Sequence, residues 1–262
     1  MKLPREKILK GSKNLKLIEP LFDQAEEALR SWKPLWTPFL SAPIREEALN
    51  IFHSLIDLDC YGDGGYPGAE RQRILISRTN EKEPNTKELA PIKGLLITGN
   101  FLFDRATIKD FQMALINNGA SREMIGDIWL NGDRGAQLVC DAETAVLLNN
   151  QTNLIRNVKI NYELQEINNL KHPLKAIPKE IKTVEASTRL DAIASAGFGL
   201  SRAKIIKKIK EGKIRLNWES IKQSSRSLVK GDKVQLEGRG SLKVISIQVT
   251  KRERWRIILL RE

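Results

Sequence analysis

Residues 188–217, TRLDAIASAGFGLSRAKIIKKIKEGKIRLN, constrain the fold more than any other stretch, because they spell out two short helices and a strand with their starts and stops. Thr188 can cap the first helix with Asp191 three residues on, a shortened capping box, while Leu190, Ile193 and Ala194 form one apolar stripe. Gly197 and Gly199 are expected to end it. Ser201 caps the second helix. There Ala203, Ile205, Ile206 and Ile209 gather on one side and Lys204, Lys207 and Lys208 on the other, within an arc of about 100°. Gly212 stops that helix, and Lys213, Ile214, Arg215 and Leu216 alternate charged and apolar residues as a half-buried strand does.

Charge placement gives this stretch its meaning. The chain of 262 residues carries a formal net charge of +12. From residue 181 onward there are 20 Lys and Arg against 8 Asp and Glu, whereas residues 1–180 hold 24 of each. The whole surplus therefore lies in the last third. A basic domain joined to a neutral one points to a polyanionic partner bound in a salt-sensitive way. A membrane surface is the rival reading, ranked lower because the lysine helix opposes small aliphatics and offers no Trp or Phe for insertion.

The pattern RLD, a small-residue turn, SR, a basic helix and G-x-I-x-L-N is carried by Arg189-Leu190-Asp191, Ser201-Arg202, Gly212 and Asn217, and Gly231-Asp232 continues it. This series resembles the small RNA-binding domain named after ribosomal protein S-four, also called the alpha-L motif.

The rest of the chain reads as follows. Residues 1–58 look helical, with amphipathic segments at 19–32 and 43–58 and Pro43 in a first helical turn. Between them, Trp32, Trp36 and Phe39 read as core fillers of a helix connector rather than a base-stacking surface. GDGGYPG at 62–68 must turn tightly or approach something closely, and no GK[ST] follows it, so it is not a phosphate loop. Arg71 and Arg73 lie just after it, beside the strand 74–77. They could contact phosphates or bases, or pair with local carboxylates; both readings stay open. Residues 80–91 and 163–178 read as linkers. Between them come a strand at 94–98, a helix at 107–118 capped by Thr107, strands at 127–130 and 137–140, a helix at 141–150 and a strand at 158–164. That is βαββαβ, the ferredoxin-like order shared by RNA-recognition domains. Its first and third strands, GLLIT and QLVC, lack aromatics, so no standard stacking platform is expected. After Asn217 and Trp218, strands are expected at 233–237, 242–249 and 255–260.

The expected class is α+β. A helical N-terminal α+β region with the Gly-rich loop (1–85) precedes a ferredoxin-like domain (86–168) and an S-four-type domain (181–262). Cys60 and Cys140 lack CxxC or Cys/His spacing, so neither a metal site nor a disulfide framework is indicated, and no cofactor. No run approaches 18 apolar residues and the N-terminus lacks a signal-peptide core, which predicts a bacterial-type cytosolic protein, or a plastid stromal one if organellar, without membrane insertion.

Tyr66-Pro67-Gly68-Ala69-Glu70-Arg71 and Ile125-Gly126-Asp127-Ile128, with the S-four-type domain, make nearly the whole chain from Ile44 onward similar to the YlmH-like family, whose cyanobacterial and plastid branch is called the photosystem II S-four-domain protein. The resemblance implies a non-enzymatic protein that works with the ribosomal large subunit, binding ribosomal RNA and tRNA in translation quality control, with a link by name to photosystem II assembly or repair; a monomer is expected. The family's Gly-Arg-Gly-Arg-like run is here Gly238-Arg239-Gly240 followed by Ser241-Leu242-Lys243. On this reading Arg189, Ser201, Arg202, Lys204, Lys207 and Lys208 contact phosphates and 2′-hydroxyls, with Lys213, Arg215, Asn217 and Arg239 at the edge. Trp218 either stacks on a flipped base or fills a core.

Two rivals remain. One is an RNA-modifying enzyme, such as a pseudouridine synthase or methyltransferase that docks through the same domain. No GxGxxG loop supports it, His53 and His172 lack a partner as bases, and Asp127, Asp133 and Asp141 are assigned to hairpins and caps. The other is an adaptor for a thylakoid complex, which no residue supports.

Overall fold

The computed structural model describes residues 3–9, 12, 14–79, 89–173, 178–236 and 239–262. The chain forms two compact units, Met1–Pro173 and Leu174–Glu262. The expected linker at 80–91 falls largely outside the described residues.

The first unit opens with α1 (Arg5–Ile8) and α2 (Leu15–Ser31), followed by β1 (Leu35–Trp36), α3 (Ala42–Phe52), β2 (Leu58–Asp63) and β3 (Arg73–Arg78). The strands pair antiparallel in the order β1-β3-β2. The apolar stripe of α2, with Phe22 fully buried against Phe52 of α3 at 5.5 Å between rings, packs on Ile74 and Ile76. The N-terminal region is thus helix and sheet together. Of the connector aromatics, Phe39 is buried and Trp36 sits edge-on to Tyr61, as core fillers should. Trp32 differs: it ends α2 in a left-handed conformation, which turns its ring outward under the Arg78 guanidinium.

The same unit continues through β4 (Ile92–Thr98), α4 (Ile108–Asn117), β5 (Ile125–Leu130), β6 (Gly135–Asp141), α5 (Ala142–Leu148), β7 (Thr152–Ile155) and β8 (Val158–Gln165). The sheet runs β5-β6-β4-β8-β7, all antiparallel. With β7 set aside this is the expected βαββαβ order, and β7 adds a hairpin strand beside β8. Thr107 and Asp110 form a reciprocal capping box on α4.

Leu95, Ile97, Leu138 and Tyr162 bury one face of the sheet under Phe111 and Leu115 of α4 and Leu148 of α5. The other face is covered too. Ile92 and Val139 pack with Phe39 and Leu170, joined by Trp129, Tyr66 and Ile167. Every residue of β6 is buried. The expectation of no stacking platform therefore has a second physical reason: protein already occupies that face. Its lid includes residues 167–172, expected to be linker; Leu170 is buried and His172 stacks on Tyr66 at 5.1 Å.

The second unit is one six-stranded antiparallel sheet with two helices. In chain order it comprises β9 (Lys179–Glu185), α6 (Leu190–Phe198), α7 (Arg202–Lys210), β10 (Ile214–Leu216), β11 (Glu219–Ser220), β12 (Lys233–Leu236), β13 (Gly240–Val249) and β14 (Trp255–Arg261). The strand order is β11-β10-β12-β13-β14-β9. Leu190, Ile193 and Phe198 of α6 and Ile205 and Ile209 of α7 pack on Val234, Leu242, Val244, Ile257 and Leu259. Gly197 does not end α6 but lies inside it, because a Cβ there would stand 2.3 Å from Leu242 Cδ1. Gly199 makes the left-handed cap. The expected last strand is not an edge: β14 lies between β13 and β9, a strand the sequence did not reveal.

Candidate nucleic-acid interface

The start of α6 is held by backbone rather than by a capping side chain. Its N-cap is Arg189, with no side-chain cap bond, and the Thr188 carbonyl accepts from Leu228 N–H. Leu190 N–H and Asp191 N–H donate to the carbonyls of Arg226 and Ser224. The loop 224–227 thus does what the expected Thr188 cap would have done. Asp191 is instead the partner of Arg189, bridged at 2.9 Å, and that hydrogen-bonded guanidinium holds the Asp191 carboxyl below the usual range. Arg202 adds to the same effect and bridges Glu185 of β9 at 3.5 Å. Arg189 and Arg202 are therefore gathered around one buried carboxylate, beside the loop that carries Arg226.

From there α7 runs as a row of cations. Ser201 accepts from Lys204 N–H and caps the helix. Ile205 and Ile209 are buried, Lys204, Lys207 and Lys210 are exposed, and Lys208 is half-buried. Ala203, expected on the packed side, is exposed, because it stands in the first turn ahead of the buried stripe. Among the described residues none of Lys204, Lys207, Lys208, Lys210, Arg215 and Arg226 is bridged to a carboxylate. Glu211, which follows α7, is bound by Lys213 at 3.1 Å, and Lys213, Lys207 and Lys208 lower its carboxyl. Among the described residues the helix offers ammonium groups that no carboxylate bridges, an arrangement suited to phosphates.

Two of the expected contact residues have structural duties. Asn217 and Trp218 both take positive φ, 49° and 71°, as the two central residues of the tight hairpin joining β10 to β11. The Asn217 side chain donates to Asp232 Oδ1 and accepts from Lys233 N–H, tying this turn to the Gly231-Asp232 turn. Trp218 is half-buried with Lys233 Nζ over its ring at 5.1 Å. Arg239 is exposed and reaches the Phe198 carbonyl at 3.5 Å. Arg226 is an exposed cation that sequence reading passed over; its one signal is the Ser-rich segment, which leaves that loop open beside the RLD turn.

The glycine loop resolves differently. Arg71 donates to the carbonyls of Ile125, Phe39 and Arg122, and burial lowers its basicity. Arg73 is buried, donates to Thr37 and Pro91 carbonyls and bridges Asp141 at 2.5 Å. Arg73 thus takes the carboxylate pairing, while Arg71 is held by backbone carbonyls instead. Asp127 is no hairpin residue: it accepts from Tyr66 O–H and from the backbone N–H of Glu70 and Arg71, so it clasps the loop. Burial and the neighbouring Asp127 push the Tyr66 hydroxyl up. Asp141 caps α5 through Glu143 N–H, as expected.

Three family models match: "YlmH, N-terminal" over residues 13–81, "Putative RNA-binding domain in YlmH" over 103–169, and "S4 domain" over 188–234. The chain belongs to the YlmH family. It is 26% identical over 228 residues to the ribosome-associated protein quality control protein P2 of Bacillus subtilis (strain 168), covering 86% of each chain. The solved structure of the cell division protein ylmH from Streptococcus pneumoniae is 20% identical, covering 57% of this chain and 92% of that one, with a TM-score of 0.45. The S4 match brackets the RLD turn, α7 and the two turns tied by Asn217.

Proposed function

We propose that the protein binds structured RNA, through α7 and the arginines around Asp191, and works on the ribosome without catalysing a reaction. The observation that carries this is the row of cations on α7, unbridged among the described residues, in a domain that holds the chain's whole positive surplus. The S4 match and the ribosome-associated relative support it. A-form RNA hides its base edges in a deep groove, so contacts to phosphate and 2′-hydroxyl dominate. Ribosomal RNA and tRNA are the targets we infer, in translation quality control on the large subunit, for a monomer of the cytosol. No helix among the described residues is long and apolar enough to cross a membrane. The photosystem II link rests on a branch name alone.

One feature supports a non-catalytic role. Burial pushes the Cys60 and Cys140 thiols up to about 12, far from thiolate reactivity. Modified nucleosides formed in ribosomal RNA by the purified protein would overturn this part.

The binding test is fluorescence anisotropy against a labelled ribosomal RNA hairpin. If about six phosphates are neutralised, log affinity falls with log salt with a slope of roughly −4 to −5. Replacing Lys204, Lys207 and Lys208 together by Ala is expected to flatten that slope by about 2 units and weaken binding by about tenfold or more, without lowering thermal stability. Salt-independent affinity, or an unchanged triple variant, refutes the proposal.

A further inference from the structure

The second unit carries another cluster of cations that lies outside the S4 match and apart from α7. β12 pairs with β13 only as far as Lys243, and the last backbone bonds on that side join Val244 to Gly231 and Asp232. Beyond that point the sheet narrows to β13, β14 and β9. The five steps from Val244 to Val249 advance about 17 Å at some 3.4 Å each, so the three strands project as a ribbon. A β-bulge between Val244 and Ser246 stands where the sheet narrows, and such a bulge twists the strands beyond it.

The ribbon ends in a built turn. Glu253 N–H donates to the Thr250 carbonyl, Thr250 N–H to the Arg254 carbonyl, and Arg254 N–H to the Thr250 hydroxyl, with Glu253 in the left-handed region at φ 53°. This turn and the strand after it expose Lys251, Arg252, Arg254 and Arg256, none of them bridged to a carboxylate among the described residues. The acid of β9 beside the turn, Glu185, is already taken by Arg202, which leaves Glu253 as the turn's own acid.

Register shows which face these groups use. Trp255 packs toward the core under α6 and α7, and side chains alternate along a strand, so Arg256 stands on the opposite face. There it forms a cross-strand row with Gln248 and Val184. A shallow groove is lined by that row together with Arg254, Lys251 and Arg252. Guanidinium forks suit phosphate oxygens bidentately, Gln248 can serve a 2′-hydroxyl, and the half-exposed Val184 suits the apolar edge of a ribose.

We propose that this groove on the helix-free face of the ribbon is a second RNA-backbone site, so that the domain holds RNA both at α7 and along the ribbon. The inference rests on the RNA-binding reading above and adds a surface to it. The test uses the full chain, a fluorescein-labelled RNA hairpin, and vesicles containing phosphatidylglycerol. Lys251, Arg252, Arg254 and Arg256 are replaced together by Gln. A control chain loses the same charge at Lys16, Lys33, Lys109 and Lys159, all exposed in the first unit. The ribbon variant is expected to bind the hairpin about tenfold or more weakly, with the salt slope flattened by about 3 units, while the control changes by less than about twofold.

Equal losses in the two chains would show a general net-charge effect and overturn the proposal. So would an unchanged ribbon variant, or one that keeps RNA and loses only the vesicles, which would assign the groove to lipid headgroups. If the wild type fails to bind the hairpin, the RNA reading itself falls; if it binds and the ribbon variant matches it, only the second site falls. Should the fourfold variant melt early, K251E with R252E, confined to the turn, gives the same readout.

Discussion

The segment after the glycine loop and the helix α7 each place cations close together, and the molecule uses them in opposite ways. Arg71 and Arg73 spend their donors on the interior: carbonyls of Phe39, Ile125 and Thr37, and the Asp141 carboxylate. The lysines of α7 have no such partners among the described residues and face outward. A guanidinium presents several donors in a fixed fork and can satisfy backbone carbonyls as well as a carboxylate, whereas an ammonium on a long stem stays at the surface more readily. Net charge is therefore a poor guide to a binding face unless it is known which cations are already bonded.

This contrast can be broken at either end. The largest effect is expected from Arg73→Ala, which strands Asp141 in a buried site and should cost about 3–5 kcal/mol in the first unit. The check is urea unfolding followed alongside RNA binding at a temperature where the variant is folded. A loss of affinity without a loss of stability would reverse the assignment. Asp127→Ala removes three hydrogen bonds that clasp the glycine loop. It should cost about 2 kcal/mol and speed amide exchange at residues 66–71, with the salt slope of RNA binding unchanged.

The smallest effect concerns Asp191, where the two uses meet, since a buried carboxylate positions surface arginines. Its folded-state carboxyl is lowered, so its contribution is present above the unfolded value of about 3.9 and is lost as pH falls through the folded value. Asp191→Asn should cost about 1 kcal/mol near pH 7, discounted for the partial exposure of Arg189, and the gap to wild type should close below about pH 4. A gap that stays constant down to pH 3 would show that shape rather than charge is at work.

Much of this was legible in the sequence. The helix order, Ser201, Gly199, the Thr107 cap and the βαββαβ order all follow from local rules that the structure keeps. What could not be read depends on partners distant in the chain. Thr188 lost its capping role to carbonyls some 36 residues away in the loop 224–227. Gly197 is small for the sake of Leu242, not to end a helix. The strand β9 goes unmarked in the sequence because KEIKTVE alternates weakly, and its partner β14 comes at the far end of the domain. The candidate contact row on α7 was visible because it rests on one helix. Arg226, the duties of Asn217 and the sealing of Arg73 were not.

The pairing of β9 with β14 also sets an order of events in folding. Lys179 faces Arg261 across that ladder, so its formation closes a loop of about 80 residues, at an entropic cost near 4 kcal/mol. The contacts of α6, α7 and β10 lie within some 27 residues and can be made first. The β13–β14 hairpin is local as well, with Val249 facing Trp255, so the docking of β9 is the step expected last. Pulse-labelled amide exchange during refolding should protect 190–216 ahead of 179–185.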